Sequence, residues 1–323
     1  MQTKQLGNTD LHLTRIGLGT WAMGSGGWAY SWGDQNDQAS IATIQRALEL
    51  GINWIDTAPV YGLGHAEEIV GKAIKTLAEK PIIATKCSLV WDEHKNISSN
   101  LKKASIKKEV EDSLKRLQID VIDLYQIHWP NPPQDIEEGW GAVAELVLEG
   151  KIRYAGVSNF SVKQLKRIQP IHPVASLQPP YSLLERGIEK ELLTYCAQNH
   201  IGVIVYSPMQ MGVLTDKFTR EWVESLPEGD HRHRENRQFQ EPQLSANLAL
   251  VESLRVLARQ RGVKVAQLAI AWTLRRPEIT AAIVGARRPA QIEESVKAAE
   301  LQLSESDLTE IEALLENHYK VRT

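Results

Sequence analysis

Four polar side chains in this sequence stand where apolar runs end: Asp56, Tyr61, Lys86 and His128. They lie in the strings IDTAPVYG, IIATKC and DLYQIHW, where a β-branched run meets a titratable residue and a turn or helix follows. Such a run predicts a strand that presents the polar residue at its carboxyl end. Because reacting groups gather at the carboxyl ends of barrel strands, we expect a carboxylate, a phenol, an ammonium group and an imidazole to meet there. Together these groups can move a proton at neutral pH.

The elements that must position these residues follow from hydrophobic periodicity. Apolar runs rich in Val and Ile alternate with stretches of helical period, such as 105–117, which is typical of an α/β fold. The predicted strands are 16–19, 52–56, 82–86, 121–128, 152–158, 174–178, 201–206 and 279–284. Strands joined in this way by helical crossovers predict a closed (β/α)8 TIM barrel. We assign residues 1–323 to one such domain.

Further elements are predicted around the barrel. The first dozen residues have the pattern of a β-hairpin, which we expect to cap the barrel floor. The interval between strands seven and eight is too long for one crossover, so residues 207–246 should form a long excursion over the mouth. Helices are predicted at 247–261 and 264–275, and an extra helix at 304–316 follows strand eight.

Composition excludes several classes of function. The chain has 323 residues and a formal charge of −3, which argues against nucleic acid as a main partner. It has neither an apolar run of membrane-spanning length nor an N-terminal signal pattern, so we expect a cytoplasmic protein. We also expect a monomer or a weak homo-oligomer, with a small carbonyl compound as its partner. Cys87 and Cys196 are interpreted as reduced core thiols.

Two segments have features of phosphate binding. Residues 17–22 match the glycine spacing of the dinucleotide-binding fingerprint, but no helix is predicted until about residue 38, and that fingerprint requires one at once. The better candidate is Gly285-Ala286-Arg287-Arg288-Pro289, because barrels commonly bind anions after strands seven and eight. Alternatively, the two arginines are an ordinary solvated pair.

Motifs along nearly the whole chain carry a family resemblance. The strings are GLGTW, IDTAPVYG, GHAEEIVGKAI, ATK, DSLKRLQIDVIDLYQIHWP, GKIRYAGVSNFS, LQPPYSLLER, YSPMQMGVLTDK and GARRPAQIEES. Together they resemble the aldo-keto reductases, most closely the bacterial general-stress and inositol-operon reductases. They are also similar to the β subunits of voltage-gated potassium channels. The order and spacing of IDTAPVYG, IHWP and VSNF make this resemblance specific.

The resemblance implies NADPH-dependent reduction of aldehydes and ketones. Tyr61 would be the general acid that protonates the carbonyl oxygen, and His128 would orient that oxygen. Asp56 and Lys86 would form a buried ion pair whose ammonium group faces the phenol. Because a nearby cation favours a phenolate, we expect Lys86 to lower the pKa of Tyr61.

The resemblance also implies where the cofactor binds. Ser158, Asn159 and Gln178 would hold the nicotinamide carboxamide and Tyr206 would stack on the ring, while Arg287 would pair with the 2′-phosphate and favour NADPH. The full implied cofactor set is Gly19, Thr20, Trp21, Asp56, Ser158, Asn159, Gln178, Tyr206, Ser207, Pro208, Met209, Gly212, Lys217, Gly285, Arg287, Gln291, Glu294 and Ser295. At position 295 this chain has Ser where the family often has Asn.

Aromatic residues after several strands suggest the substrate. Trp21, Trp91 and Trp129 would form a wall for a flat or apolar carbonyl compound, although some of these rings could simply pack loops. The run His231-Arg232-His233-Arg234 in the excursion could clamp phosphates, bind a metal or be a solvated basic loop.

Two other classes of protein remain open. One is an NADPH-binding module that senses redox state and turns over slowly, as the channel subunits suggest. The other is a metal-dependent barrel enzyme that uses Asp56, His65, Glu67 and His128.

Overall fold

A closed barrel of eight parallel strands forms the centre of the computed structural model, which describes residues 1–232 and 236–321 and side chains as far as Tyr319. In chain order the strands are β1 (Thr3–Gln5), β2 (His12–Thr14), β3 (Ile16–Gly19), β4 (Trp54–Asp56), β5 (Ile82–Cys87), β6 (Leu89–Trp91), β7 (Ile97–Ser99), β8 (Ile122–Ile127), β9 (Ile152–Ser158), β10 (Ser176–Gln178), β11 (Gly202–Val205) and β12 (Ile279–Gly285). The barrel order is β3-β4-β5-β8-β9-β10-β11-β12, with β12 pairing back to β3. The predicted TIM barrel and each of its strands are confirmed.

Helices cover the outside of the barrel. They are α1 (Asp37–Glu49), α2 (His65–Ile74), α3 (Lys103–Leu117), α4 (Ile136–Leu148), α5 (Val162–Ile168), α6 (Leu192–Gln198), α7 (Arg220–Glu224), α8 (Gln243–Gln260), α9 (Val265–Leu274), α10 (Pro289–Ser295) and α11 (Glu305–Val321). Their apolar faces pack with the outward side chains of the strands into one large core. The capping box of Ser161 and Gln164 begins α5, as its sequence predicts.

The N-terminal hairpin closes the barrel floor. Strands β1 and β2 pair antiparallel, and Leu6 and Leu13 pack with Trp54 and Ile204 in a buried cluster. Gly7 has a φ of +54°, and a Cβ there would lie 2.5 Å from the backbone nitrogen of Gly202. Only glycine permits this approach, so the expected floor position of the hairpin is confirmed.

A second hairpin was not predicted. Strands β6 and β7 pair antiparallel directly after β5. Its turn is held by Asp92, whose Oδ1 accepts from the backbone nitrogens of His94 at 2.9 Å and Asn96 at 2.8 Å. Leu89 and Ile97 pack on an aromatic cluster at the mouth. This hairpin therefore forms one wall of the mouth.

The excursion after β11 crosses towards the loop that follows β3. The guanidinium group of Arg232 lies between two indole rings, 4.4 Å from the centroid of Trp32 and 5.4 Å from that of Trp222. It also pairs with the buried Asp230 at 2.6 Å. The predicted His231–Arg234 run is thus described only in part, since His233 and Arg234 lie outside the described residues. The described Arg232 is not a solvated loop residue.

The C-terminal part follows the predicted pattern of extra helices. Helices α8 and α9 follow the excursion, and α10 and α11 follow β12. Ser304 and Asp307 cap the start of α11 reciprocally, with the backbone nitrogen of Ser304 2.8 Å from Oδ2 of Asp307. Across the described residues, every helix is too short or too polar to cross a membrane.

Candidate active site

Lys86 lies inside the barrel at the carboxyl end of β5 and is fully buried. Its Nζ donates to Oδ2 of Asp56 at 2.7 Å and to the backbone oxygen of Thr57 at 2.9 Å. Burial is the dominant influence and lowers the pKa of Lys86, while the carboxylate of Asp56 opposes this. Asp56 is needed here because an unpaired buried ammonium group is costly.

Tyr61 lies in the turn after β4, with its hydroxyl directed at this ion pair. Nζ of Lys86 donates to its Oη at 3.3 Å. The expectation that Lys86 lowers the pKa of Tyr61 is wrong: burial, together with the charge of Asp56, raises the pKa well above its usual value. The physical reason is that the ammonium group comes with its own carboxylate, so the pair offers the phenol little net positive charge.

His128 follows β8 and faces the same space. Its ring meets the ring of Tyr61 edge-on, with centroids 5.9 Å apart. Burial, followed by the charge of Lys86, lowers the pKa of His128 well below its usual value, so the imidazole is neutral at pH 7. Within the described part of the chain, its ring nitrogens have no hydrogen-bond partner. The ring is therefore free to donate to a molecule bound at the mouth.

A chain of amides continues from Asp56 across the barrel. Nε2 of Gln178 donates to Oδ1 of Asp56 at 2.8 Å and to Oε1 of Gln126 at 3.2 Å. Because both of these atoms accept, the amide of Gln178 is oriented with its nitrogen towards them. Its oxygen remains available to a donor at the mouth.

The ends of β9 and β11 join this chain. Nδ2 of Asn159 donates to the backbone oxygen of His128 and to Oγ of Ser158, both at 3.0 Å. Oη of Tyr206 donates to Oδ1 of Asn159 at 2.9 Å. The structure thus brings together the residues that the sequence assigned to proton transfer and to the carboxamide.

The loop after β11 has an unusual backbone. Ser207, Gln210, Met211 and Gly212 all have φ between 47° and 103°. Left-handed residues other than glycine carry strain and concentrate at functional sites. This loop contains the predicted Ser207, Pro208, Met209 and Gly212, whereas Lys217 lies beyond it and is exposed.

The region after β12 agrees less fully with the expected cofactor site. Nε of Arg287 donates to Oε1 of Gln35 at 2.7 Å, and its Nη atoms contact the backbone oxygens of Trp32 and Asp34. Arg287 therefore joins α10 to the loop after β3. Arg288 is exposed.

The remaining predicted residues of this region lie on different faces of α10. Oε1 of Gln291 accepts from the backbone nitrogens of Arg287 and Arg288, at 2.8 Å and 3.1 Å. Glu294 lines an open groove of about 1100 Å³ with Lys264 and Lys297, away from Tyr61. Ser295 is only 5% exposed, and its side chain faces the core rather than this groove.

Aromatic rings surround Tyr61. Trp21 and Trp28 lie 5.2 Å and 6.3 Å from it between centroids, and Trp21 also contacts Tyr30. Trp129 is exposed beside His128, and Trp91 pairs with Ile97 in the β6–β7 hairpin. Gly19 ends β3 and Thr20 follows it; the backbone nitrogen of Thr20 donates to the backbone oxygen of Asp56 at 3.0 Å.

Of the four candidate metal ligands, Asp56, His65 and Glu67 have other partners. Nε2 of His65 contacts Asp37 at 2.8 Å, and Glu67 pairs with Arg116 at 2.7 Å. Within residues 1–232 and 236–321, no three His, Cys, Asp or Glu side chains form a group that could hold a metal. Cys87 and Cys196 are buried and free, as expected.

Sequence reasoning missed several residues around the site. Gln126 lies within β8, two positions before His128, and was not among the predicted site residues. Glu109 of α3 was not among them either, yet it is 9% exposed and lies three positions from buried Ile106. That spacing places both residues on one helix face, which is a usable signal.

Comparisons with known proteins agree with this geometry. The sequence model of the Aldo/keto reductase family matches residues 15–316. The chain is similar to aldo-keto reductase YhdN of Bacillus subtilis, with 42% identity over 98% of this chain and 94% of that protein. It is also similar to the NADH-specific methylglyoxal reductase of Escherichia coli, with 38% identity over 96% of this chain and 97% of that one. Among solved structures, the glycerol dehydrogenase AKR11B4 of Gluconobacter oxydans has a TM-score of 0.88 and 39% identity, covering 98% and 96% of the two chains.

Proposed function

Because this chain belongs to the aldo/keto reductase family, we propose that it reduces small aldehydes and ketones to alcohols with NADPH, and that Tyr61 supplies the proton. One observation carries the proposal: the hydroxyl of Tyr61 lies 3.3 Å from Nζ of Lys86 and faces the space beside His128.

The contact with Lys86 directs the hydrogen of the phenol. Since the ammonium group donates to Oη of Tyr61, the hydrogen of Tyr61 is left for the substrate. Because the pKa of Tyr61 is raised, the phenol keeps its hydrogen at pH 7 until a substrate binds. As negative charge develops on the carbonyl oxygen, the oxygen takes this proton, and the hydrogen bond from Nζ of Lys86 stabilises the phenolate that remains.

His128 has a different part in the same reaction. Its neutral imidazole donates a hydrogen bond to the carbonyl oxygen and so polarises the carbonyl group. A neutral imidazole is a much weaker acid than imidazolium, so transfer of the proton falls to Tyr61. Two donors on one oxygen would also fix the orientation of the carbonyl.

The polar groups beside Asp56 suit a nicotinamide cofactor. The oxygen of Gln178 and the second lone pair of the Asn159 oxygen, which already accepts from Tyr206, are acceptors for the two hydrogens of a carboxamide. When bound, the reduced cofactor supplies the hydride. These residues would bind the ring and keep one of its faces towards Tyr61.

The preference for NADPH is supported by Arg287 and Arg288 before α10, because a 2′-phosphate carries charge that guanidinium groups recognise. The alternative is NADH, since the similar Escherichia coli enzyme is named NADH-specific. Arg287 is also engaged with Gln35, so the exposed Arg288 could share the phosphate.

The wall of the pocket favours uncharged substrates. Trp21, Trp28 and Tyr30 offer ring faces and no charge to a molecule beside Tyr61. The two similar enzymes are named for methylglyoxal and glycerol, which are small and neutral. We therefore propose small, uncharged carbonyl compounds as the substrate class.

The Tyr61→Phe variant tests the proposal. It should still quench tryptophan fluorescence on binding NADPH, but its turnover of 4-nitrobenzaldehyde should fall by about 10²- to 10⁴-fold, the usual cost of losing a general acid. Tyr154→Phe is the matched control, because Tyr154 contacts Asp10 at the barrel floor. Its turnover should match that of the unchanged protein.

The same measurements separate the alternatives. NADPH binding without turnover in the unchanged protein would favour the redox-sensing module. Turnover that a chelator abolishes would point to metal chemistry. Normal turnover in Tyr61→Phe would remove Tyr61 as the proton donor.

A further inference from the structure

A buried glutamate lies behind β5, on the side opposite to the barrel interior. Glu109 of α3 is 9% exposed. Its Oε2 accepts from the backbone nitrogen of Ser88 at 2.9 Å, and its Oε1 accepts from Oγ of Ser105 at 2.9 Å. One contact is to its own helix, and the other reaches Ser88, the residue directly after the strand of Lys86.

Ser88 connects the end of β5 to helix α3, to Asn100 after β7 and to Trp129 after β8. It is fully buried and has a φ of +83°, which is rare for a residue with a side chain. Its backbone oxygen accepts from the backbone nitrogen of Asn100 at 2.9 Å. Its Oγ lies 3.3 Å from both the nitrogen and the oxygen of the Trp129 backbone. The contact from Glu109 therefore helps to hold a conformation that the backbone alone disfavours.

The residues on either side of Ser88 and Trp129 belong to the proposed site. Lys86 precedes Ser88 by two positions, and His128 directly precedes Trp129. The backbone nitrogen of His128 also donates to the backbone oxygen of Cys87 at 3.0 Å. The β5 and β8 ends are thus joined at Ser88 and Cys87, so a shift of Ser88 would reach the side chains that face the substrate.

The surroundings of Glu109 leave its charge incompletely balanced. Arg116 of α3 acts on Glu109, but its guanidinium group is paired with the buried Glu67 of α2. The thiol of Cys87 and the phenol of Tyr125 face it from β5 and β8. Burial raises the pKa of Glu109 to about 7, so its charge changes near neutral pH.

We propose that Glu109 is a positioning residue for the reduction, whose ionised carboxylate holds Ser88 and, through it, the substrate-facing Trp129 and His128. This inference rests on the proposed function. An ionised carboxylate binds the Ser88 N–H more strongly than a neutral acceptor does. Protonation of Glu109 therefore loosens the Trp129 side of the pocket, and the KM for the carbonyl compound rises as the pH falls below 7.

The main test is Glu109→Gln, which keeps an acceptor for Ser88 and a donor for Ser105 but has no charge. At pH 8 its KM for 4-nitrobenzaldehyde should be about fivefold higher, as expected when a charged hydrogen bond becomes a neutral one. The rise in KM between pH 8 and pH 6 should disappear, while the Kd for NADPH stays unchanged. Glu111→Gln is the control, because Glu111 lies on the same helix and pairs with Lys151 at the surface.

Ser88→Gly tests the second step. Glycine accepts a φ of +83° and keeps the backbone bond to Glu109, but it lacks the Oγ that contacts Trp129. Its KM should rise at every pH between 6 and 8. A normal KM in Ser88→Gly, or a KM for Glu109→Gln that still rises as the pH falls, would overturn the proposal.

Amide hydrogen exchange gives a readout that needs no turnover. Exchange of residues 88–91 and 127–131 should be faster in Glu109→Gln than in Glu111→Gln at pH 8. If the unchanged protein reduces no carbonyl compound, the proposed function fails, and exchange alone decides whether Glu109 holds these segments. Equal exchange in the two variants would refute that role.

Discussion

The two halves of the barrel mouth are built differently. On the half formed by β4, β5 and β8, Lys86 contacts both Asp56 and Tyr61 directly, and all three side chains are nearly inaccessible to solvent. On the half formed by the loops after β11 and β12, contacts run between loops, as in the bond from Arg287 to Gln35. The first half is fixed by strand geometry and the second by loop contacts. We infer that substitutions in the first half affect both folding and chemistry, whereas those in the second affect mainly the choice of cofactor.

The largest effect should follow from Lys86→Met. This change leaves the carboxylate of Asp56 buried without its cation, and breaking a buried pair in this way typically costs about 3–5 kcal/mol. The free energy of unfolding, measured with denaturant, should fall by that amount. Lys102→Met is the control, because Lys102 pairs with Asp135 and Glu138 at the surface, where such pairs contribute at most about 1 kcal/mol. Similar losses in the two variants would show that the buried pair of Lys86 and Asp56 stabilises the fold no more than a surface pair does.

A smaller effect is expected from Arg287→Ala on the other half. Loss of a charge-assisted contact to the 2′-phosphate should weaken NADPH binding by about 1.5–3 kcal/mol and leave NADH binding almost unchanged. Fluorescence titration of both cofactors measures this, with Arg288→Ala for comparison. Equal losses of affinity for NADPH and NADH would mean that Arg287 acts by holding the loop at Gln35 and does not bind the 2′-phosphate.

The smallest effect concerns pH. His128 has a lowered pKa in the folded chain, so the unfolded chain takes up its proton first as the pH falls below about 6.5. Its stabilising contribution is therefore present above that pH and is lost on acidification, by at most about 1.4 kcal/mol per pH unit.

The titration of Glu109 should change the folding stability in the opposite direction. Its raised pKa means that the folded chain binds its proton first between pH 7 and about 4.5, which stabilises the fold on acidification. Glu109→Gln should therefore steepen the loss of stability between pH 6.5 and 5, and His128→Asn should flatten it. Denaturant unfolding at several pH values measures both slopes. Parallel slopes for the two variants would contradict the assignment of these charges.

Much of the fold is predictable from the sequence, because the barrel strands are continuous apolar runs bounded by polar residues or glycine. The β6–β7 hairpin was missed for the opposite reason: residues 92–96 are polar, and their structure depends on the side chain of Asp92 capping its own turn. Helix α7 and the position of Arg232 were also missed. Arg232 is positioned by Trp32, which is distant in sequence, and by Trp222 of α7.

The sequence predicts which residues form the candidate site better than it predicts how their pKa values shift. The positions of Asp56, Lys86 and His128 at or directly after strand ends follow from the sequence pattern, whereas Tyr61 lies in the turn five residues after β4. The direction of the pKa shift of Tyr61 does not, because it depends on how burial and both charges of the ion pair combine in space. The contact between Arg287 and Gln35 could not be predicted either, because the two residues are far apart in the sequence and meet only in the folded chain.

The floor hairpin also determines how this protein could be mounted on a surface. The hairpin lies at the end of the barrel opposite to Tyr61, and Gln2 beside it is exposed. Since Cys87 and Cys196 are buried, a thiol introduced as Gln2→Cys would be the reactive one for a maleimide-coated support. Every immobilised molecule would then present its open end to the flowing solution.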